Sequence, residues 1–174
     1  MSTGKLLDRE LAAENERRRV VKEKLAPSSD VLTGLFDRQA WDEFAGDEVR
    51  IADARGVCHH MLSIDLDGLK AINDRYGRDA GDQAIRVAAD MIREAVRDTD
   101  FLARFGGDRF AALLLDSPSE TAMVIKTRIH KKLGGRGISA SIGVESTRGH
   151  ETLRQAWASA DEKMYGEKKT RRPF

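Results

Sequence analysis

Cysteine is all but missing from this 174-residue chain: Cys58 is the only one, which excludes a disulfide framework and points to a reducing cytoplasm. Long apolar runs are missing too, so neither a secretory leader nor a membrane span is expected. Charge of one sign is not in excess. The formal net charge is +1, which removes the general electrostatic case for a nucleic-acid polymer or an anionic membrane as partner. Repeats and low-complexity inserts are absent after Asp30, which leaves a single α/β or α+β domain.

What is present is 40% hydrophobic and 34% charged residues, enough apolar material for one core plus some extra helix. The extra helix is Lys5 to Leu25, where acids and bases alternate without glycine or proline until Pro27-Ser28-Ser29 breaks the pattern. Leu7, Leu11, Val21 and Leu25 keep a four-three spacing, with Glu14 and Arg18 in the seam between them. Two options stay open: a coiled-coil stub leading from an upstream sensor, or a helix packed on its own domain. The chain is accordingly divided into a linker or signalling helix, 1–26, and a domain, 27–174.

From Asp30 onward the patterns run helix, strand, two helices, hairpin, helix, strand, helix. The helix from Gln39 to Arg55 places Ala40, Trp41, Phe44 and Ala45 on one face and closes at Gly56. A strand over Val57 to Leu66 follows. Cys58 within it is expected to be buried, and the adjacent His59 and His60 point to opposite faces, so they make no metal pair. The strand ends in Asp65-Leu66-Asp67-Gly68, whose two acids share a side and suit either a cation or a turn cap. Beyond it lie a short helix from Lys70, a tight turn at Gly77 and a longer helix to about Arg97. Asn73 and Asp82 converge across that turn. An amide beside a carboxylate matches the donors and acceptors of a guanine edge, although local capping explains such a pair as well. The apolar runs Phe101-Leu102-Ala103 and Phe110 to Leu115 form a hairpin bent at Gly106-Gly107. Its tip presents Asp108 and bare backbone, chemistry that suits phosphate and metal.

Together these blocks resemble the GGDEF-domain family of diguanylate cyclases. Asp30-Val31-Leu32-Thr33-Gly34-Leu35-Phe36-Asp37-Arg38 is similar to the family's D-x-L-T-G-L-x-N-R, and Asp65 through Asp74 to its D-x-D-x-F-K-x-I-N-D. Tyr76-Gly77, Gly81-Asp82, the hairpin, Ser141-Ile142-Gly143-Val144 and Ala160-Asp161 through Met164-Tyr165 to Lys168 follow in order. The resemblance runs from Asp30 to Arg172. It implies an α/β (α+β) fold with a central, mainly antiparallel five-stranded sheet flanked by helices, like nucleotidyl cyclases and polymerase palms. It also implies condensation of two GTP into cyclic di-GMP by two domains meeting head to tail, with Mg²⁺ neutralising the triphosphates. By motif matching, Asp65 and Asp108 are the catalytic acids and, with the Leu66 carbonyl, the metal ligands. Gly106 and Gly107 lie along the nucleotide, Asn73 and Asp82 hold guanine, and Lys70, Lys168 and Arg172 hold phosphates.

Within the hairpin signature one position departs from the pattern: Arg109 stands where the family has Glu. The exchange reverses local charge by two units. One pair of charges roughly 4 Å apart is worth about 4 kcal/mol at an effective dielectric of about 20, and losing about 4 kcal/mol of transition-state stabilisation slows turnover roughly a thousandfold. Arg97-Asp98-Thr99-Asp100 fits the family's R-x-x-D product site, in which Arg97 and Asp100 take a guanine of cyclic di-GMP. Arg128 is a candidate second arginine, from a neighbouring domain. Three readings follow: a cyclic di-GMP or GTP receptor that cyclises poorly, a working cyclase under product inhibition, or a non-catalytic GTP-sensing or protein-interaction domain. A homodimer through the first helix or through the head-to-tail contact belongs to each.

Overall fold

The computed structural model describes residues 3–25, 28–150 and 152–171. Its elements run α1 (Thr3–Leu25), α2 (Arg38–Arg55), β1 (His60–Leu66), α3 (Leu69–Tyr76), α4 (Arg78–Arg93), β2 (Phe101–Gly106), β3 (Arg109–Leu114), α5 (Ser119–Gly134), β4 (Ala140–Ser146) and α6 (Leu153–Arg171). The strands lie in the order β2-β3-β1-β4, and every neighbouring pair is antiparallel.

The period-two alternation of β1 and β3 decides what each face of the sheet holds. Leu62, Ile64 and Leu66, with Phe110, Ala112 and Leu114, join Ile85, Ile92, Ile125 and Leu133 of α4 and α5 in one core. Met61, Ala111 and Leu113 face the other way and pack with Trp41 and Phe44 of α2 and Ala160 of α6. Phe101 anchors that second layer, stacked between Phe36 and Phe44 at centroid distances of 4.3 and 4.1 Å. Because the sheet is covered on both sides, β1 is buried along its whole length. By the same alternation Ser63, Asp65 and Arg109 lie on the α6 face.

Several expectations are corrected. The sheet has four strands among the described residues, not five. Residues 28–37 add only single bridges, Ser29 to Phe36 and Phe36 to Ala103, because the Asp30 carbonyl accepts from Gly34 N at 2.8 Å and folds the segment back on itself. β1 begins at His60, which leaves Cys58 ahead of the strand and half-buried. α2 starts one residue early, at Arg38, where the Asp37 carboxylate caps Ala40 N at 2.9 Å. α4 stops at Arg93, short of Arg97, because the backbone groups beyond it have side-chain partners. Arg128 takes the Ala95 carbonyl at 3.1 Å and the Asp100 carboxylate takes Arg97 N at 2.8 Å.

α1 packs on its own domain. Leu25 enters the Trp41 core, Arg18 is buried, and Lys22 Nζ donates to the carbonyls of Asp98 and Thr99 at 2.8 and 3.0 Å and to that of Asp100. Leu11 stays exposed; the Leu7 side chain and Pro27 lie outside the described residues. No helix among the described residues is long and apolar enough to cross a membrane.

Candidate functional site

The β2–β3 hairpin turns at Gly107-Asp108. Gly106 and Gly107 have φ of 98° and 54°, a region that costs glycine nothing and other residues strain. Arg104 fixes the bend: Nε and Nη2 donate to the Gly107 carbonyl at 3.2 and 2.8 Å, while Nη1 straddles the Asp30 carboxylate at 2.9 and 2.8 Å. Burial opposes ionisation of Asp30, but hydrogen bonds from Thr33 and Arg104 outweigh it, and the carboxyl titrates below its usual range. The end of β1 reaches the same turn, Leu66 N donating to the Asp108 carbonyl at 3.0 Å.

An open cavity of about 370 Å³ lies beside this junction, its wall including Leu66, Lys70, Asp108, Ser139, Lys168 and Arg171. Four expected residues, Leu66, Lys70, Asp108 and Lys168, are therefore brought together, and Gly106 and Gly107 sit exposed at the hairpin tip. Lys70 is solvent-exposed and pairs with Asp74 at 2.6 Å. Arg172 lies outside the described residues. Its neighbour Arg171, which the sequence reading missed, lines the cavity and donates to the Ala140 carbonyl at 2.8 Å.

Asn73 and Asp82 are not in the cavity wall. Asn73 lies three residues beyond Lys70 on α3, hence on the same helix face. Its amide rests on Gly81, where a Cβ would come within 1.8 Å of Oδ1, and Asp82 follows directly on α4. The α3 and α4 ends thus meet across the Gly77 turn at Asn73 and Gly81. Asn73 Oδ1 is buried without a hydrogen-bond partner, an acceptor that a donor on a bound ligand would satisfy.

The two acids at the end of β1 do different work. Asp67 accepts from Ser139 Oγ and Ser141 Oγ, each at 2.9 Å, and clamps the turn. Asp65 accepts from Lys168 Nζ and lies directly across the ladder from Arg109. Burial pushes the Asp65 carboxyl up, the Lys168 hydrogen bond pulls it back, and the Asp108 charge pushes it up further. Arg109 turns to Asp161 of α6, which also accepts from Ser63 Oγ at 2.8 Å. Asp161 was legible only as part of a sequence block. Its seven-residue offset from Lys168, two helical turns, was the available signal that Asp161 and Lys168 share one face of α6.

At the Arg97–Asp100 turn, Asp100 is an internal brace. Its side chain is unexposed, Oδ2 accepts from Arg97 N at 2.8 Å and Oδ1 from Leu115 N at 3.0 Å. Burial pushes its carboxyl up against those two hydrogen bonds. Arg97 is half-exposed and lines an open cavity of about 280 Å³ with Val124, Ile125 and Arg128 of α5. Arg128, expected from a neighbouring domain, thus stands beside Arg97 within one chain. His59 and His60 take separate partners: His59 Nδ1 accepts from Asp116 N at 3.0 Å, and His60 contacts the Ser117 carbonyl at 2.8 Å and Ser119 Oγ at 3.1 Å.

The four-stranded antiparallel sheet, with its central strand end and glycine hairpin bordering the cavity, is that of an α/β domain flanked by helices. The chain belongs to the GGDEF-domain family of diguanylate cyclases, residues 28–173 matching the family described as "Diguanylate cyclase, GGDEF domain". It is 32% identical over 147 residues to the probable diguanylate cyclase DgcJ of Escherichia coli K12, covering 82% of this chain and 30% of that protein. The chain thus spans about a third of the length of the curated relatives that it matches first. Among solved structures, diguanylate cyclase SiaD of Pseudomonas aeruginosa, in complex with its activator SiaC, superposes with a TM-score of 0.81 at 26% identity, over 97% of this chain and 68% of that one. The GGDEF domain of DgcB from Caulobacter crescentus, in complex with cyclic di-GMP, gives 0.80 at 25% identity over 84% and 90%. The family typically uses Mg²⁺ and GTP. The expected ligand set of Asp65, Asp108 and the Leu66 carbonyl does not fit a divalent cation here. Asp65 is engaged by Lys168, and Arg109 stands across the ladder from it.

Proposed function

We propose that this domain is a guanine-nucleotide-binding module of cyclic di-GMP signalling that cyclises GTP poorly and acts as a receptor. The observation that carries the reading is Arg109, set opposite Asp65 and paired with Asp161, so that cationic side chains occupy the ground where the chemistry of phosphoryl transfer needs a metal. Attack on an α-phosphate without that neutralisation lacks its largest electrostatic contribution. GTP fits the cavity side: Lys70, Lys168 and Arg171 suit the phosphates, and Asn73 with Asp82 suits guanine. Cyclic di-GMP fits the Arg97 and Arg128 cavity, where Arg97 supplies the exposed fork and Asp100 holds the turn from within.

The test is incubation with GTP and Mg²⁺, followed by chromatography for cyclic di-GMP and pyrophosphate, beside calorimetric titration with cyclic di-GMP. The expected result is turnover at least a thousandfold below that of Arg109→Glu, and dinucleotide binding that Arg97→Ala abolishes. Fast turnover by the unaltered protein overturns the receptor reading in favour of a working cyclase. Unchanged dinucleotide affinity in Arg97→Ala removes the assigned site.

A further inference from the structure

We infer that the guanidinium of Arg109, held by Asp161, takes the place of a divalent cation in this domain, so that a guanosine triphosphate binds the cavity without metal. The inference rests on the nucleotide reading of the cavity and goes beyond it to the ionic form of the ligand that the site accepts.

The argument starts from the ladder. Asp65 and Arg109 are direct cross-strand partners of β1 and β3, so their Cβ atoms lie about 5 Å apart on the same face. α6 runs over that face and presents Asp161 and Lys168. Asp161 takes Arg109 and Lys168 takes Asp65, so two acids and two bases form two ion pairs side by side, an open ring. The ring is electrically neutral. A carboxylate at position 109 would leave Lys168 alone against three acids, a net charge of minus two, which is the charge that one divalent ion cancels. Arginine at this single position therefore removes the site's demand for a metal.

Burial gives the balance its weight. Asp65 and Lys168 side chains are only 8% and 19% exposed, and Arg109 and Asp161 33% and 22%, so water screens the ring weakly. Ser63 Oγ, two residues before Asp65 on the same face of β1, donates to Asp161 and keeps that carboxylate beneath Arg109. Arg109 Nε is buried without an acceptor, so the guanidinium has donor capacity left over in the dry part of the site. The ring meets the cavity through Lys168, which belongs to both. Asp161 is on this account a positioning residue.

The experiment compares GTP binding by calorimetry in EDTA and in Mg²⁺, with Mn²⁺ binding to the protein alone followed by electron paramagnetic resonance. The unaltered protein is expected to bind GTP within about threefold in the two buffers and to leave Mn²⁺ free. Arg109→Glu is expected to bind Mn²⁺ and to lose at least tenfold in GTP affinity in EDTA, recovered on adding Mg²⁺. Arg109→Gln, which adds no acid, is expected to lose metal-free affinity without gaining Mn²⁺, and Asp161→Asn to lose part of it. Binding by the unaltered protein that needs Mg²⁺ by tenfold or more, or an Arg109→Gln variant that binds normally in EDTA, overturns the inference. Failure to bind GTP in either buffer overturns the nucleotide reading itself.

Discussion

β3 carries an ionic cluster at each end, and the two are built differently. At its start, Asp65 with Lys168 and Arg109 with Asp161 form two ion pairs, which reach an open cavity through Lys168. Just past its end, Asp116 meets Arg18 of α1 at 2.7 Å, and Arg18 meets Glu48 of α2 at 3.0 Å, with Arg17 and His59 closing around Glu48. This second cluster is drier, with Arg18, Glu48 and His59 all buried; it leaves Arg18 Nη2, His59 Nε2 and Asp116 Oδ1 without a hydrogen-bond partner, as the first leaves Arg109 Nε. The contrast separates two uses of charge. A ring bordering a cavity can exchange partners with a ligand, whereas buried charges locked between three elements fix where a helix sits.

That contrast can be broken by unequal mutational costs. Glu48→Ala leaves the buried Arg18 guanidinium short of its buried carboxylate partner, and removing one member of a buried pair costs about 3–5 kcal/mol. Urea unfolding should show that loss, and a change under about 1 kcal/mol would mean the α1 cluster is no more structural than a surface pair. Lys22 gives an intermediate effect with a pH signature. Burial lowers its pKa from 10.5 to about 8, against the attraction of Asp100 and Asp98. Between those values the unfolded chain binds the proton that the folded one has released, so stability rises with pH from about 8 to 10.5, by at most about 1.4 kcal/mol per unit. Unfolding midpoints at several pH values should show this slope and lose it in Lys22→Met; a slope unchanged in the variant assigns it elsewhere. The smallest effect belongs to the ring. Asp161→Asn breaks a partly exposed pair and should cost about 1 kcal/mol or less of stability, while moving metal-free nucleotide affinity. A larger structural loss would place both clusters in the same class.

The order of elements and the core aromatics Trp41 and Phe44 were legible because local pattern and spacing carry them, whereas the cavity residues Lys70 and Lys168 came from the family resemblance alone. The ring was not legible. Arg109 and Asp161 are 52 residues apart, and their meeting depends on the β1–β3 register and on how α6 crosses the sheet, neither of which periodicity supplies. Asp100 was expected to take guanine and not to brace the turn, since its second partner, Leu115 N, comes from beyond the end of another strand. The fifth strand was expected from resemblance alone, and the Gly34 turn forecloses it locally.

The Arg104 bridge from Asp30 to the Gly107 carbonyl has a consequence in time. A turn already pinned on its carbonyl needs no ordering before a ligand arrives, so capture is limited by diffusion and orientation and not by loop closure. Observed association rates should then climb linearly with nucleotide concentration and show no plateau, and residence time alone would distinguish one guanine ligand from another at this hairpin.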